Sequence, residues 1–436
     1  MSAALPFLRS LSISVGMALA TSCFGMIAAM ASTTGWWLLL AIGLSLLIAL
    51  AVAHAVGRLA RRFPSALGMR TYIKAAFGNT ASLFFVCVYV VMIALVAGVE
   101  SNLYASIVQQ VAPGVDARWV IVTVFAAVFA LNVFGHEVSR NIQLGLVLLM
   151  LAGVLALSGC AMAGANAAAW PNGESLAHLS GVPAAAVTAF FLFVGFEWVT
   201  SAQPGSRQAA AQLPRVLLCA VLLLGAVYMS FATAALLHLD ASALSATRTP
   251  QMMLAALTWG EHGRRVMLLI STAAVLMAFN AGVLGASRMV YSLAREGCLP
   301  GVLAKTLNGS GAPAHAIAAT VCVSLCCSLV TQVVHASDLL GHVAAVLICI
   351  CYGGLLAASL VLAGRAGRDC RPAFAVEAGA LLAMVLLLAA MLCDPAAWRQ
   401  SLVAAVACGL SFLYAARAHS RSARGMNARA AHSLPT

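Results

Sequence analysis

The sequence predicts an all-α integral membrane protein with about twelve transmembrane helices. Of its 436 residues, 63% are hydrophobic and only 8% are charged, and its mean hydropathy is +1.00. A water-soluble domain of this size could not cover its surface with so few charged residues. Apolar runs of about 17 to 30 residues recur along the chain, and a helix needs about 20 residues to cross a bilayer. The runs are continuously apolar, unlike the alternating strands of a membrane β-barrel.

Twelve apolar runs mark the predicted spans. Their approximate ranges are 11–34, 36–57, 80–111, 118–135, 141–164, 184–203, 214–238, 264–294, 315–335, 339–363, 373–393 and 397–416. They form one transmembrane domain over residues 11–416, preceded by a short segment, 1–10. The final residues, 417–436, are basic, rich in Ala and Ser, and lack helical periodicity. We expect them to form a solvated, unstructured tail, with contact to anionic lipid as the alternative.

Basic residues indicate how the chain is oriented. The arginines and lysines concentrate after the even-numbered spans, at Arg58, Arg61, Arg62, Arg70, Lys74, Arg140, Arg207, Arg215, Arg295, Lys305, Arg365, Arg368, Arg371 and the C-terminal tail. The positive-inside rule therefore places both termini in the cytoplasm, in a multi-pass protein of the inner (plasma) membrane. The net charge of +12 does not indicate nucleic-acid binding, because no polar domain gathers the basic residues. The first apolar run is too long for a signal-peptide core, so we expect it to be retained.

The sequence lacks the motifs of enzymes and pumps. It contains no H-E-x-x-H, no G-x-S-x-G, no cluster of acids and no G-x-x-x-x-G-K-[ST]. Its 13 cysteines and 10 histidines show no metal-ligand spacing. We therefore predict no catalytic residues, cofactor or metal, and an integral-membrane enzyme remains only a less favoured alternative.

Two spans carry features that interrupt a regular helix. The first contains SVGMALATSCFGM (14–26), a run of small residues, and the sixth contains VGFE (194–197) followed by SAQPG (201–205). Interrupted helices at corresponding positions of two halves indicate the midplane substrate site of a secondary transporter. The alternative is that the small residues only allow close helix packing.

Three segments resemble a known family. FNAGVLGASRMVYSLAREGCLP (279–300) is similar to the eighth-helix signature of the amino acid, polyamine and organocation (APC) superfamily. ARRFPSALGMRTYIKAAFG (60–78) and FFLFVGFE (190–197) resemble that family's stretches after helix two and in helix six. The resemblance implies a LeuT-type fold with two inverted five-helix repeats, about 11–164 and 184–363, and two extra helices, about 373–416. It also implies a permease or exchanger that moves amino acids or related amines by alternating access; an exporter is the alternative.

The resemblance also suggests site residues. Relatives often use a glycine-rich break in the first helix to receive the substrate carboxylate, and Ala20, Thr21 and Ser22 stand there in this chain. Phe191 matches an aromatic that occludes the substrate, and Gly195 matches the break in helix six. Some proton-coupled relatives carry a lysine in helix five, where this chain has Met150. Exchange, facilitated movement and coupling to a proton through a carboxylate therefore remain open.

Two acids lie within apolar spans. A charged side chain at the centre of a membrane helix costs roughly 2.5 to 3.5 kcal/mol, so such residues are functional candidates. Glu100 is expected to bind a substrate ammonium, to carry a proton, or to anchor a broken helix end. Glu197, beside the expected break at Gly195, is expected to latch helix six to helix one or to carry a proton. Asn280 and Arg288 are interpreted as structural parts of helix eight.

Overall fold

The computed structural model describes residues 4–65, 67–133, 136–166, 176–202, 207–307, 311–365 and 371–432. These residues form seventeen α-helices joined by short 3₁₀ turns and loops. In chain order the helices are α1 (Ala4–Ala18), α2 (Ser22–Thr34), α3 (Leu38–Arg62), α4 (Met69–Phe77), α5 (Asn79–Val111), α6 (Ala117–Val133), α7 (His136–Gly164), α8 (Val182–Ala189), α9 (Val199–Ala202), α10 (Arg207–His238), α11 (Ala241–Ala246), α12 (Pro250–Trp259), α13 (Gly263–Arg295), α14 (Ala314–Val334), α15 (Ser337–Gly364), α16 (Arg371–Leu392) and α17 (Trp398–His432).

The helices confirm the predicted fold class. In the described part of the chain, ten helical stretches are long and apolar enough to cross a membrane, and two shorter apolar helices, Leu5–Ala18 and Ala117–Val133, accompany them. Each of the twelve predicted apolar runs corresponds to helix. The first run is divided between α1 and α2, and the sixth between α8 and α9. Both predicted interruptions are therefore present.

Both predicted end segments differ from the structure. α1 begins at Ala4, inside the segment that we expected to precede the first span. α17 continues to His432, although we expected residues 417–436 to be unstructured. Ala and Arg are strong helix formers, so a preceding helix extends readily through the Ala- and Arg-rich sequence despite its lack of apolar periodicity.

Contacts between loops sort the helix ends onto two sides. On one side, Arg70 pairs with Glu296, and Arg365 Nη1 donates to the Ala75 carbonyl at 3.2 Å. On the other, Arg248 lies 3.0 Å from Asp338. The connections after spans two, eight and ten therefore contact one another, and so do those after spans seven and nine.

Long helices of the two predicted repeats pack directly on each other. α3 packs along α10, α5 packs against α13, α14 and α15, and α1 contacts α7, α10 and α13. Aromatic side chains fill the centre, where Phe24 and Phe231 meet edge to face with ring centroids 4.5 Å apart. Large apolar side chains are exposed on outer helices, among them Val334, Leu386 and Leu410, as expected for a domain embedded in hydrocarbon.

An ion pair joins the first added helix to the bundle. Arg58 Nη2 lies 2.6 Å from Glu377 Oε1, and the Ser359 hydroxyl donates to Glu377 Oε2 at 2.9 Å. Glu377 is buried, so these donors supply the partners that its carboxylate needs. α16 is therefore held against both α3 and α15.

Short helices in the connections cap the bundle on each side. α4 carries the basic sequence after the second span, and α11 and α12 lie between α10 and α13. Asp240 caps α11 by accepting from the Ala243 amide at 2.8 Å and from the Ser242 hydroxyl at 3.0 Å. The Ala243 bond, followed by the Ser242 bond, holds the pKa of this exposed carboxyl below its usual value.

Candidate functional site: two broken helices and two buried acids

The first helix breaks at Leu19, Ala20 and Thr21, between α1 and α2. The start of α2 leaves backbone donors without partners inside the helix. Glu100 of α5 supplies the acceptor: Thr21 Oγ1 donates to Glu100 Oε2 at 2.6 Å, and the Ser22 amide lies 3.3 Å from both carboxylate oxygens. Glu100 is only 4% exposed. A buried carboxylate therefore caps the positive end of the second half-helix.

The first half of each broken helix ends beside the same tyrosine. Tyr228 Oη, on α10, lies 3.0 Å from the Ala18 carbonyl at the end of α1. It also lies 2.7 Å from the Leu192 carbonyl, just before the break in the sixth helix. The hydroxyl has one hydrogen, so it donates to one of these two carbonyls at a time. Tyr228 thus ties the two breaks together.

The sixth helix breaks at Val194 and Gly195. After α8 and a 3₁₀ turn, Val194 is extended, with ψ 134°, and Gly195 has φ 104°. A Cβ at Gly195 would lie 2.9 Å from Met17 Cγ and 3.2 Å from the Met17 carbonyl oxygen. Glycine is required here both for the left-handed backbone and for the close approach of the first helix.

Glu197 forms a second buried cluster, with Tyr89 of α5 and Tyr352 of α15. Both tyrosine hydroxyls donate to its carboxylate, one to each oxygen. The Gly195 amide donates to Tyr352 Oη at 2.8 Å, so this hydroxyl links the broken backbone to the acid. Glu197 is 5% exposed, and its two acceptor oxygens are satisfied within the protein.

The partners of Glu197 correct one expectation. We expected its carboxylate to join helix six to helix one, but the carboxylate bonds go to α5 and α15. Helix one instead contacts the backbone of the sixth helix: the Ser14 hydroxyl donates to the Phe196 carbonyl. The reason is directional: the turn after Gly195 presents the Phe196 carbonyl to α1 and the Glu197 side chain to the opposite helices.

A narrow cavity of about 40 Å³ lies beside the break in the first helix. It is bounded by α1, α5, α6, α13 and α14, and its walls are mostly apolar. Phe125 and Phe279 stack with ring centroids 5.0 Å apart on one side, Thr320 and Ser324 supply hydroxyls, and Glu100 supplies the carboxylate. This volume holds only a few waters, so a larger solute requires the helices to separate.

The structure divides the predicted site residues into two groups. Thr21, Ser22 and Glu100 are in contact, and Ala20 lines the cavity beside them. Gly195 and Glu197 belong to the tyrosine cluster described above. Phe191 is partly buried next to Phe190, with ring centroids 6.5 Å apart, and is not among the residues that line the cavity.

Tyr89, Tyr228 and Tyr352 are the functional candidates that sequence reasoning missed. Each is buried and lies inside an apolar helix, and a buried tyrosine hydroxyl requires a hydrogen-bond partner. That requirement was the available signal. It could not identify the partner, because Tyr89 and Tyr352 are 108 and 155 positions from Glu197 in the chain.

Asn280 is the centre of an uncharged polar network. Its side chain bonds to Asn132 of α6 and to Ser139 and Gln143 of α7, at 2.8 to 2.9 Å. Gln143 in turn lies against α1, where a Cβ on Gly16 would be 2.2 Å from its Nε2 atom. The network joins α1, α6, α7 and α13, which agrees with the structural role expected for Asn280. Met150, on α7, is fully buried among apolar residues.

Within the described ranges, no three His, Cys, Asp or Glu side chains gather in a way that could hold a metal ion.

Comparison with solved structures finds the same fold in a manganese transporter. The chain superposes on the crystal structure of the Eremococcus coleocola manganese transporter with a TM-score of 0.59, covering 96% of this chain and 94% of that one. Sequence identity is 13%, so the likeness concerns the fold alone. That fold is the LeuT-type arrangement implied by the sequence motifs.

Comparison with curated proteins finds permeases. The chain is 24% identical over 267 residues to the low-affinity putrescine importer PlaP of Escherichia coli K12, covering 59% of each. It is 25% identical over 294 residues to a probable GABA permease of Pseudomonas aeruginosa, covering 64% of this chain and 62% of the relative. An uncharacterized protein of Methanocaldococcus jannaschii is 25% identical over 302 residues, 68% of its length. The alignments thus span about three fifths to two thirds of these relatives.

A family model described as amino acid permease matches residues 5–414, nearly the whole chain. This range includes both broken helices, both buried acids and the eighth-helix motif. The chain is therefore a member of the amino acid permease family, within the APC superfamily.

Proposed function

We propose that this protein is a secondary transporter that moves amino acids or related amines across the cytoplasmic membrane by alternating access. The family supports a transporter of this broad class, and the relatives named for putrescine and GABA fall within it. The substrate site in this proposal is the cavity beside Ala20, Thr21, Ser22 and Glu100. Gly195 and Glu197 form the hinge of the sixth helix, and Phe191 is the aromatic gate on that helix.

The observation that carries the proposal is the meeting of two broken helices beside a small cavity. Gly195 lies so close to Met17 that a Cβ on it would be 2.9 Å from Met17 Cγ, and Met17 also lines the cavity. In this proposal, movement at the break in helix six shifts that wall. Half-helices that end near the midplane supply exposed backbone ends for a solute and pivots for movement. A cavity of about 40 Å³ must widen to admit an amine or amino acid, and alternate opening to each side provides that space.

Uptake into proteoliposomes without ATP tests this function. Purified protein should accumulate or exchange a radiolabelled amino acid or amine, whereas liposomes without protein should not. Adding an imposed pH gradient shows whether a proton is the coupling ion. Transport that requires ATP, or chemical conversion of the solute without its movement, would contradict the proposal.

The orientation is part of the proposal, with both termini in the cytoplasm. Ser245 on α11 and Arg207 at the start of α10 are exposed at opposite ends of α10. Cysteine placed at position 245 on a cysteine-free background should react with an impermeant reagent from outside, and cysteine at 207 should react only after permeabilisation. Labelling of position 207 in intact cells would reverse the orientation. Asn172 and Arg368, which the sequence analysis places outside and inside respectively, lie beyond the described residues.

A further inference from the structure

We propose that Glu100 is a built-in carboxylate that takes the place of a substrate carboxylate, so that the transported solute is a primary monoamine with an apolar body. This inference rests on the proposed function and names its substrate class. It starts from the three contacts that Glu100 makes at the break in the first helix.

The donors exposed by the break are already used by the protein. The Thr21 hydroxyl and the Ser22 amide, which a bound carboxylate would otherwise approach, both donate to Glu100. An incoming α-carboxylate would have to displace a buried acid that is held by these bonds. It would also stand next to a group of like charge in a region of low dielectric, where repulsion is strong.

The cavity offers no cation to offset that repulsion. All thirteen residues that line it are described, and none is a lysine, arginine or histidine. Glu100 is its one ionisable side chain. The ammonium of an amino acid zwitterion would be attracted to Glu100, but its carboxylate would be repelled. An amine carries only the ammonium and meets only the attraction.

Glu100 keeps acceptor capacity for an ammonium group. A carboxylate has about four lone-pair positions, and the hydroxyl of Thr21 and the amide of Ser22 occupy only part of them. The carboxylate also lines the cavity, so the remaining capacity is adjacent to the space that a solute would enter. A charge-assisted bond formed there is stronger than a bond between neutral groups.

The other walls define the remainder of the solute. Apolar surface is provided by Phe125, Phe279, Ile93 and Val283. Besides Glu100, the polar side chains on the walls are the hydroxyls of Thr320 and Ser324. A second ammonium would have no carboxylate opposite it, and two neutral hydroxyls would compensate its lost hydration less well than a carboxylate does. The geometry therefore favours a monoamine with an alkyl or aryl tail over a diamine.

Matched pairs of solutes test the inference on the intact protein. Leucine and 3-methylbutylamine differ only by a carboxylate, as do phenylalanine and 2-phenylethylamine; putrescine and n-butylamine differ by one ammonium. Binding is measured by thermal shift and calorimetry, because a solute that binds the folded state stabilises it. We expect each monoamine to bind about tenfold or more tightly than its amino acid or diamine partner.

The variant Glu100→Gln keeps the size of the side chain and one acceptor oxygen but removes its charge. We expect it to weaken monoamine binding about tenfold or more and to reduce the preference for the amine over the amino acid. A purely structural cap would leave that preference unchanged even if stability fell. Glu261→Gln, the same change at an exposed position, is the matched control and should leave both affinities unchanged.

The outcomes separate this inference from the proposed function. If leucine or phenylalanine binds as well as its amine, if putrescine binds as well as n-butylamine, or if Glu100→Gln leaves the preference intact, the inference is wrong and the proposed function is unaffected. If neither class binds or is transported, the proposed function fails as well. Should Glu100→Gln not fold, the matched pairs measured on the unaltered protein decide the question.

Discussion

Arg70 on α4 and Glu296 after α13 form a bidentate ion pair that holds α4 against one end of the bundle. Arg70 Nη1 lies 2.7 Å from Glu296 Oε1, and the second guanidinium nitrogen meets Oε2. The Arg70 side chain is 2% exposed, and that of Glu296 is 39% exposed. Gly68, immediately before α4, packs so closely on the sixth helix that a Cβ there would lie 2.5 Å from Thr200 Oγ1. In the predicted orientation, this end of the bundle faces the cytoplasm.

We predict that Glu296→Gln weakens the attachment of α4 to the end of the bundle. The amide offers one acceptor oxygen in place of two, so the paired contact with Arg70 is lost. Because Glu296 is partly exposed, the effect is modest, with hydrogen exchange of α4 amides about three- to tenfold faster. Exchange measured by mass spectrometry on the purified protein checks this.

Asp338→Asn is the control for that experiment. It breaks the Arg248–Asp338 pair, which is 69% and 82% exposed and lies on the opposite side. It should leave exchange in α4 unchanged. Equal exchange in Glu296→Gln and the unaltered protein would show that the ion pair does not hold α4.

Glu197→Gln distinguishes a latch from a proton carrier. We expect a latch, because the two carboxylate oxygens each accept a tyrosine hydroxyl and the amide oxygen replaces only one of them. The free energy of unfolding should fall by about 2 kcal/mol. The pH dependence of net uptake should be unchanged, as measured in proteoliposomes across a range of external pH.

Loss of pH-dependent net uptake, with binding and exchange intact, would instead identify Glu197 as the proton carrier. A double-mutant cycle with Tyr352→Phe supplies the control for the latch. If the two groups act through their mutual bond, the second change should cost less in the Glu197→Gln background than alone.

Ser22→Leu is predicted to abolish uptake while leaving expression and folding intact. Ser22 is the first residue of α2, and its amide donates to Glu100, so a large side chain at this position disturbs the cap beside the cavity. Thr33→Leu, at an exposed position on the same helix, should transport normally. If uptake by Ser22→Leu falls only in proportion to lost folded protein, Ser22 has a packing role alone.

Gly195→Ala is predicted to destabilise the protein by about 2 kcal/mol, because its backbone is left-handed and Met17 occupies the space of a Cβ. Thermal unfolding measures the loss. Gly145→Ala is the matched control, since a Cβ there meets nothing within 4 Å and alanine favours a helix. Equal melting temperatures for both variants would contradict the requirement for glycine at 195.

The helix count and the two breaks could be predicted because they depend on local composition. Twenty apolar residues must form a helix in lipid, and Gly195 beside Glu197 interrupts one. The sequence also identified Glu100 and Glu197 as unusual, since an acid in hydrocarbon requires a partner. It did not show that residues 4–10 and 417–432 extend the neighbouring helices. Arg9 interrupts the first apolar run, and the Ala- and Arg-rich tail has no apolar periodicity.

The amino-acid pattern alone predicts a membrane-spanning bundle with two interrupted helices and two acids inside apolar spans. The folded structure was needed to show that Glu100 bonds to Thr21 and Ser22 and that Glu197 bonds to Tyr89 and Tyr352. It was also needed to show that one tyrosine, Tyr228, lies at both breaks. Hydrophobicity and helix propensity depend on a few neighbouring residues and are therefore visible in the sequence. The choice of a hydrogen-bond partner depends on how helices far apart in the chain pack against each other.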